Sequence, residues 1–192
     1  IQFNLGLLQL TGEARFANEL ERSFYNHLTA AQHPAGEDWC YFTATDGRKR
    51  YDKGITCCHS SGPRGLALAP QAAYLRRSER GRDTLLVSTF EPSSASFMLG
   101  GEVVTVEQRS EFPYRGVSRL VLRMARPARF AIRVRVPDWA RPVVLDGSTE
   151  HEGWAELPRR RWRDGDSLTL RFNLASRVHS GERAQAGRAA LA

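Results

Sequence analysis

The stretch Phe130-Ala131-Ile132-Arg133-Val134-Arg135-Val136-Pro137-Asp138-Trp139-Ala140 decides how the second half of the chain folds. Ile132, Val134 and Val136 alternate with Arg133 and Arg135, so apolar side chains line one face of a strand and charge lines the other. The same period of two recurs at Leu85/Val87/Thr89, Val104/Val106, Leu120/Leu122, Val143/Leu145 and Leu168/Leu170/Phe172. Gly100-Gly101, Asp146-Gly147 and Asp164-Gly165-Asp166 supply turns between these runs. Short strands at this spacing predict an antiparallel β-sandwich over residues 82–192, with Trp139, Trp154 and Trp162 in its core and edges.

Before Arg80-Gly81, taken as the boundary, the period lengthens to about 3.6. Ile1 to Gln9 is apolar almost all round, as in a helix buried within a helical domain. Thr11-Gly12 breaks it, and a second helix is expected from Glu13 to Thr29, with Phe16, Leu20, Phe24 and Leu28 at a spacing of four. Residues 1–81 thus read as an α-hairpin from a larger helical array. The chain enters in mid-helix without a capping residue and stops on an apolar segment, so it is expected to be a piece of a longer protein.

Gln32 to Thr56 reads as a long loop containing a hairpin. His33-Pro34, Ala35-Gly36 and Asp46-Gly47 give turns around the aromatic run Trp39-Cys40-Tyr41-Phe42. Loops of this length in a compact domain are usually functional. Beyond it, Ser61 or Gly62 is expected to cap a helix whose first position is Pro63, with Pro70 giving a kink.

Composition narrows the function. A hydrophobic share of 41% is enough for a packed core, and no apolar run approaches the about 18 residues that a membrane span needs. The net charge of +7 raises the question of nucleic acid, but its arginines are spread along the strands. The one tight cluster, Arg159-Arg160-Arg161 beside Trp162, reads as solvated surface, so neither a nucleic-acid nor a membrane partner is expected. Three cysteines do not make a disulfide framework. The compartment stays open, with the cytoplasm as the default.

Two of those cysteines, Cys57 and Cys58, are neighbours placed just before the expected helix. Free N–H groups and the positive end of the helix dipole favour an anion there, and a cysteine so placed has a lowered pKa. Two adjacent thiolates repel unless a cation neutralises them, and zinc does so at about 2.3 Å per sulfur. The residues alone leave two readings open: a reactive or metal-binding pair, or two buried thiols in a non-catalytic carbohydrate-binding or scaffold protein.

The order of several motifs carries a resemblance. Thr11, Gly12, Glu13, Arg15, Phe16 and Ala17, then Glu21, Arg22, Tyr25 and Asn26, precede the string 54–70 that holds the cysteine pair. Residues 130–140 and the turn Trp162-Arg163-Asp164-Gly165-Asp166 follow. In this order they resemble glycoside hydrolase family 127, the β-L-arabinofuranosidase-like enzymes, over nearly the whole chain. The resemblance implies the end of an (α/α)-barrel catalytic domain followed by a β-sandwich. It implies a retaining glycosidase with a carbohydrate substrate and a zinc ion (Zn2+). Cys57 would be the nucleophile and a zinc ligand, and Cys58 a second ligand. The remaining ligands and the general acid would precede Ile1, so these residues alone are expected to be inactive.

Two departures stand out. The family's best-known members follow the pair with Pro-Pro-Asn where this chain has His59-Ser60-Ser61, and a cysteine often stands where Ile55 stands here. His59, His33 and Trp39 are the candidate substrate-binding residues, with a helix-capping or surface role the alternative for His59, a surface place for His33 and loop core for Trp39. Cys40 is expected to be structural, and Glu37 and Asp38 to be exposed turn residues.

Overall fold

The computed structural model describes residues 1–44, 47–51, 54, 56–140 and 143–191. Asp46 of the Asp46-Gly47 turn, and Ile55, lie outside the described residues.

Helix α1 (Gln2–Thr11) ends where Gly12, at φ 70°, takes the left-handed conformation and returns its N–H to the Leu8 carbonyl at 2.8 Å. Helix α2 (Ala14–Arg22) runs on through a π-helical turn, Ser23–Leu28, into the short α3 (Thr29–Ala31). One helical run therefore spans the expected second helix, and Leu20, Phe24 and Leu28 are all buried. Phe3 and Leu10 of α1 are exposed, so that helix is buried on one side only through Leu5 and Leu8. Helices α4 (Cys57–Ala67) and α5 (Ala69–Ala73) follow the loop. No described helix is long and apolar enough to cross a membrane.

Among the described residues eleven strands follow: β1 (Tyr74–Glu79), β2 (Arg82–Val87), β3 (Ser93–Leu99), β4 (Glu102–Ser110), β5 (Val117–Met124), β6 (Ala128–Arg135), β7 (Thr149–His151), β8 (Trp154–Trp162), β9 (Ser167–Arg171), β10 (Val178–Ser180) and β11 (Ala189–Leu191). They form a five-stranded sheet in the order β1-β2-β6-β8-β7, a four-stranded sheet β3-β4-β5-β9 and the pair β10-β11. Leu85, Val87, Ile132 and Val134 of the first sheet share one core with Val104, Val106, Leu120, Leu122, Leu168 and Leu170 of the second.

Three expectations change. The first sheet is mixed, because β2 and β6 run parallel. The chain leaves after β2, builds three strands of the other sheet and returns beside β2, the long crossover that a parallel pair requires. Arg80-Gly81 is the turn of the β1–β2 hairpin, so sheet structure begins at Tyr74 and not after residue 81. Val143 and Leu145 lie outside the named strands, beside a single bridge between Val144 and Arg171.

Strand β2 is buried on both faces. Leu85 and Val87 enter the core between the sheets, while Leu86 joins Leu5, Leu8, Leu20, Leu28 and Trp154 in a second core under the helices. The five-stranded sheet thus lies between helices and the second sheet, which positions the cysteine-bearing helix.

Candidate active site

The loop between α3 and α4 is pinned near its start. Gln32 and Trp39 form a single antiparallel bridge, and the Cys40 N–H bonds to the Ala31 carbonyl at 2.8 Å. The His33 N–H reaches the Asp38 carbonyl at 2.7 Å, and His33 Nδ1 accepts the Ala35 N–H at 3.1 Å. The expected hairpin at residues 39–42 reduces to that bridge: Trp39 and Cys40 are buried, and Tyr41 and Phe42 point outward.

Helix α4 begins earlier than expected. Thr56, with extended φ and ψ of −110° and 169°, is its N-cap, and Cys57 and Cys58 are its first two residues. Thr56 and His59 form a capping box, with the Thr56 N–H donating to His59 Nδ1 at 3.2 Å and the Thr56 hydroxyl 3.0 Å from the same nitrogen. Pro63 consequently lies inside the helix, where it removes one backbone donor. A Cβ added at Gly62 would stand 2.5–2.6 Å from the Trp39 ring, so only glycine lets α4 lie flat on the indole.

Each candidate residue now has a place. Cys57 is exposed and Cys58 half-buried, which contradicts the reading of two buried thiols. Trp39 is 3% exposed beneath α4, so it is a packing residue; the indole cannot stack on a sugar while it supports Gly62. His59 is engaged on both ring nitrogens, because Nε2 also lies 3.1 Å from the Asp38 carboxylate. With Nδ1 accepting, the ring carries its proton on Nε2 and donates to Asp38. His33 belongs to the turn and lies edge-on to Tyr51, their centroids 4.5 Å apart. Cys40 is buried, as expected of a structural cysteine.

No group of three or more His, Cys, Asp or Glu side chains suited to a metal occurs among the described residues. Cys57 and Cys58 offer two soft sulfur donors of the kind that zinc takes. Two sulfurs are fewer than the four donors a structural zinc takes, so a zinc ion held here would need further donors from elsewhere.

The motifs upstream and downstream of the cysteines meet at the junction of helices and sheet. Glu21 of α2 pairs with the fully buried Arg135 of β6 and accepts the Trp139 Nε1–H at 2.6 Å. Arg135 also donates to Asn18 Oδ1 at 2.7 Å and to the Ser88 carbonyl, and its guanidinium lies 5.1 Å from the centre of the Phe90 ring. The Tyr25 hydroxyl donates to Glu91 at 2.8 Å. Burial, followed by the Glu91 charge, pushes that hydroxyl far above its ordinary pKa. Trp154 Nε1–H bonds to the Gly12 carbonyl at 3.0 Å, and Arg77 to the Thr11 carbonyl. The residues that carry the resemblance in α2 and β6 therefore clamp the two halves together.

Sequence reasoning missed Thr56 and Asp38 as partners of His59. A threonine three positions before a residue able to accept its N–H was the available signal.

Comparison with known proteins agrees with this arrangement. Residues 1–71 match the GH127 catalytic domain of β-L-arabinofuranosidase, and residues 84–174 match the GH127 middle domain. A curated relative, the non-reducing end β-L-arabinofuranosidase of Bifidobacterium longum subsp. longum, is 29% identical over 153 residues, covering 70% of this chain and 22% of that protein. The fold is similar to that of a GH127 β-L-arabinofuranosidase from Geobacillus stearothermophilus T6, with TM-score 0.80 and 23% identity over 97% of this chain and 33% of that one. A second GH127 β-arabinofuranosidase structure gives TM-score 0.80 and 23% identity over 98% of this chain and 34% of that one. The chain thus spans about a third or less of the length of these relatives. Two domain matches of one family, together spanning most of the chain, show that the chain belongs to glycoside hydrolase family 127.

Proposed function

We propose that this chain is part of a retaining glycosidase acting on β-L-arabinofuranoside-like sugars, with Cys57 as its nucleophile. On this reading the helices are the end of an (α/α) barrel, and the two sheets are the β-sandwich that follows it. The observation that carries the proposal is the place of Cys57: an exposed thiol at the first position of a capped helix. The positive end of a helix dipole favours an anion at such a place.

In the first step the Cys57 sulfur forms a bond to the anomeric carbon as the glycosidic C–O bond breaks, and a general acid protonates the leaving oxygen. In the second, water attacks the same carbon, the C–S bond breaks, and the sugar leaves with its original configuration. Cys57 and Cys58 would hold zinc, which when bound keeps thiol sulfur deprotonated at neutral pH. The other ligands and the acid are assigned to the longer polypeptide, and the present residues alone are expected to turn over nothing. The relatives' names include β-L-arabinofuranosidase, which supports the substrate class.

The test is hydrolysis of a panel of aryl glycosides, including the β-L-arabinofuranoside, by the parent polypeptide and its Cys57→Ala variant. Loss of turnover in a folded variant supports the nucleophile, and the panel names the sugar. Unchanged turnover removes Cys57 from the reaction.

A further inference from the structure

His59 stands where two elements meet and touches both. Through Nδ1 it closes the capping box with Thr56, the residue just before Cys57. Through Nε2 it holds Asp38, whose carbonyl in turn accepts the His33 N–H in the pinned start of the loop. One turn further along α4, Gly62 seats on Trp39, the residue after Asp38. Residues 38 and 39 therefore grip α4 at two points, and the first grip acts on the turn that carries both cysteines.

The ring is a poor candidate for contact with substrate or metal, because both nitrogens are already occupied within the protein. Its chemistry suits a tie instead. The imidazole reaches an acceptor position and a donor position on opposite sides of the ring, and it bridges a backbone N–H to a carboxylate. Asp38 is itself 45% exposed along its side chain, so removing its carboxylate leaves no buried charge behind.

We propose that His59 is a positioning residue: it ties the loop at Asp38 to the N-cap at Thr56 and thereby sets the direction of the Cys57 side chain. This rests on the reading of Cys57 as nucleophile. A small misplacement of a reacting group lowers the chemical step more than it lowers binding.

The experiment uses the parent polypeptide with its β-L-arabinofuranoside activity, and compares His59→Ala, His59→Gln, Asp38→Ala and Cys57→Ala. Glutamine keeps an acceptor for the Thr56 N–H and a donor for Asp38, and it is the residue usual at this capping-box position. The expected result is a fall in kcat of about tenfold for H59A and D38A with KM within about twofold, and recovery to within about threefold of the parent for H59Q. Hydrogen exchange of the amides of residues 57–59 should quicken in H59A and D38A and return in H59Q. Parent-like kcat and exchange in both H59A and D38A would overturn the proposal. If H59A fails to fold, D38A against H59Q still decides it, since the Asp38 side chain is partly exposed and its removal takes away only the tie. If C57A retains full turnover the nucleophile reading has failed, and exchange continues to test the tie; if C57A is dead while H59A equals the parent, the positioning role alone has failed.

Discussion

Two regions use the residues of the family resemblance in opposite ways. At the junction, Glu21 and Arg135 are buried and paired, and the half-buried Trp139 donates to Glu21, so the charge there holds helices to sheet. At the start of α4, the cap and its tie are tightly organised, yet Cys57 is left exposed. The first region is all partners, and the second is partners arranged beside an exposed thiol. The contrast teaches that a motif string can mark architecture as readily as chemistry, and that burial tells the two apart.

The comparison breaks most severely at Glu21. Glu21→Ala leaves the Arg135 guanidinium buried without its carboxylate, and about 3–5 kcal/mol of stability should be lost in urea unfolding. A loss under about 1 kcal/mol would mean that Asn18, Ser88 and Phe90 suffice for the cation. Next comes Gly62→Ala, whose methyl meets the rigid, buried Trp39 ring; overpacking should cost about 1–3 kcal/mol and lower the melting temperature. A stabilised variant would show that α4 can lift from the indole freely.

Thr56→Ala removes the cap hydroxyl and should cost about 1 kcal/mol, with the loss traced by exchange to the first turn of α4. Tyr25 sharpens the junction side through pH. Its folded pKa is raised, so its contribution is fully present below the unfolded value near 10 and fades as pH rises beyond it. Urea midpoints should therefore fall above about pH 10, and Tyr25→Phe should flatten that fall. An identical decline in both proteins would assign the alkaline loss to other groups. The smallest effect belongs to Cys57→Ala, which should change stability by less than about 0.5 kcal/mol because the thiol is exposed. A large loss would make Cys57 a packing residue and erase the contrast.

Legibility followed the range of the interactions. The break at Gly12 and the strand pairs at Leu85/Val87, Val104/Val106 and Leu120/Leu122 were readable because alternation and a left-handed glycine are local facts. That Cys57 and Cys58 stand near a helix start was readable from the residues around them. The start of α4 was misplaced because Pro63 gave a louder signal than the Thr56–His59 pair, although both are local. Trp39 looked like a sugar platform because aromatic residues in loops serve either purpose, and only the approach of Gly62 shows which.

By itself the sequence determined that helices come first and alternating strands after them, and that two thiols stand together near a helix start. Tertiary structure alone decided that β2 lies parallel to β6, that Leu86 faces helices while its neighbours face the other sheet, and that Glu21 meets Arg135 across 114 positions. The physical reason is that periodicity records which side of an element is shielded from water, whereas the identity of the shielding partner depends on how distant segments close upon one another.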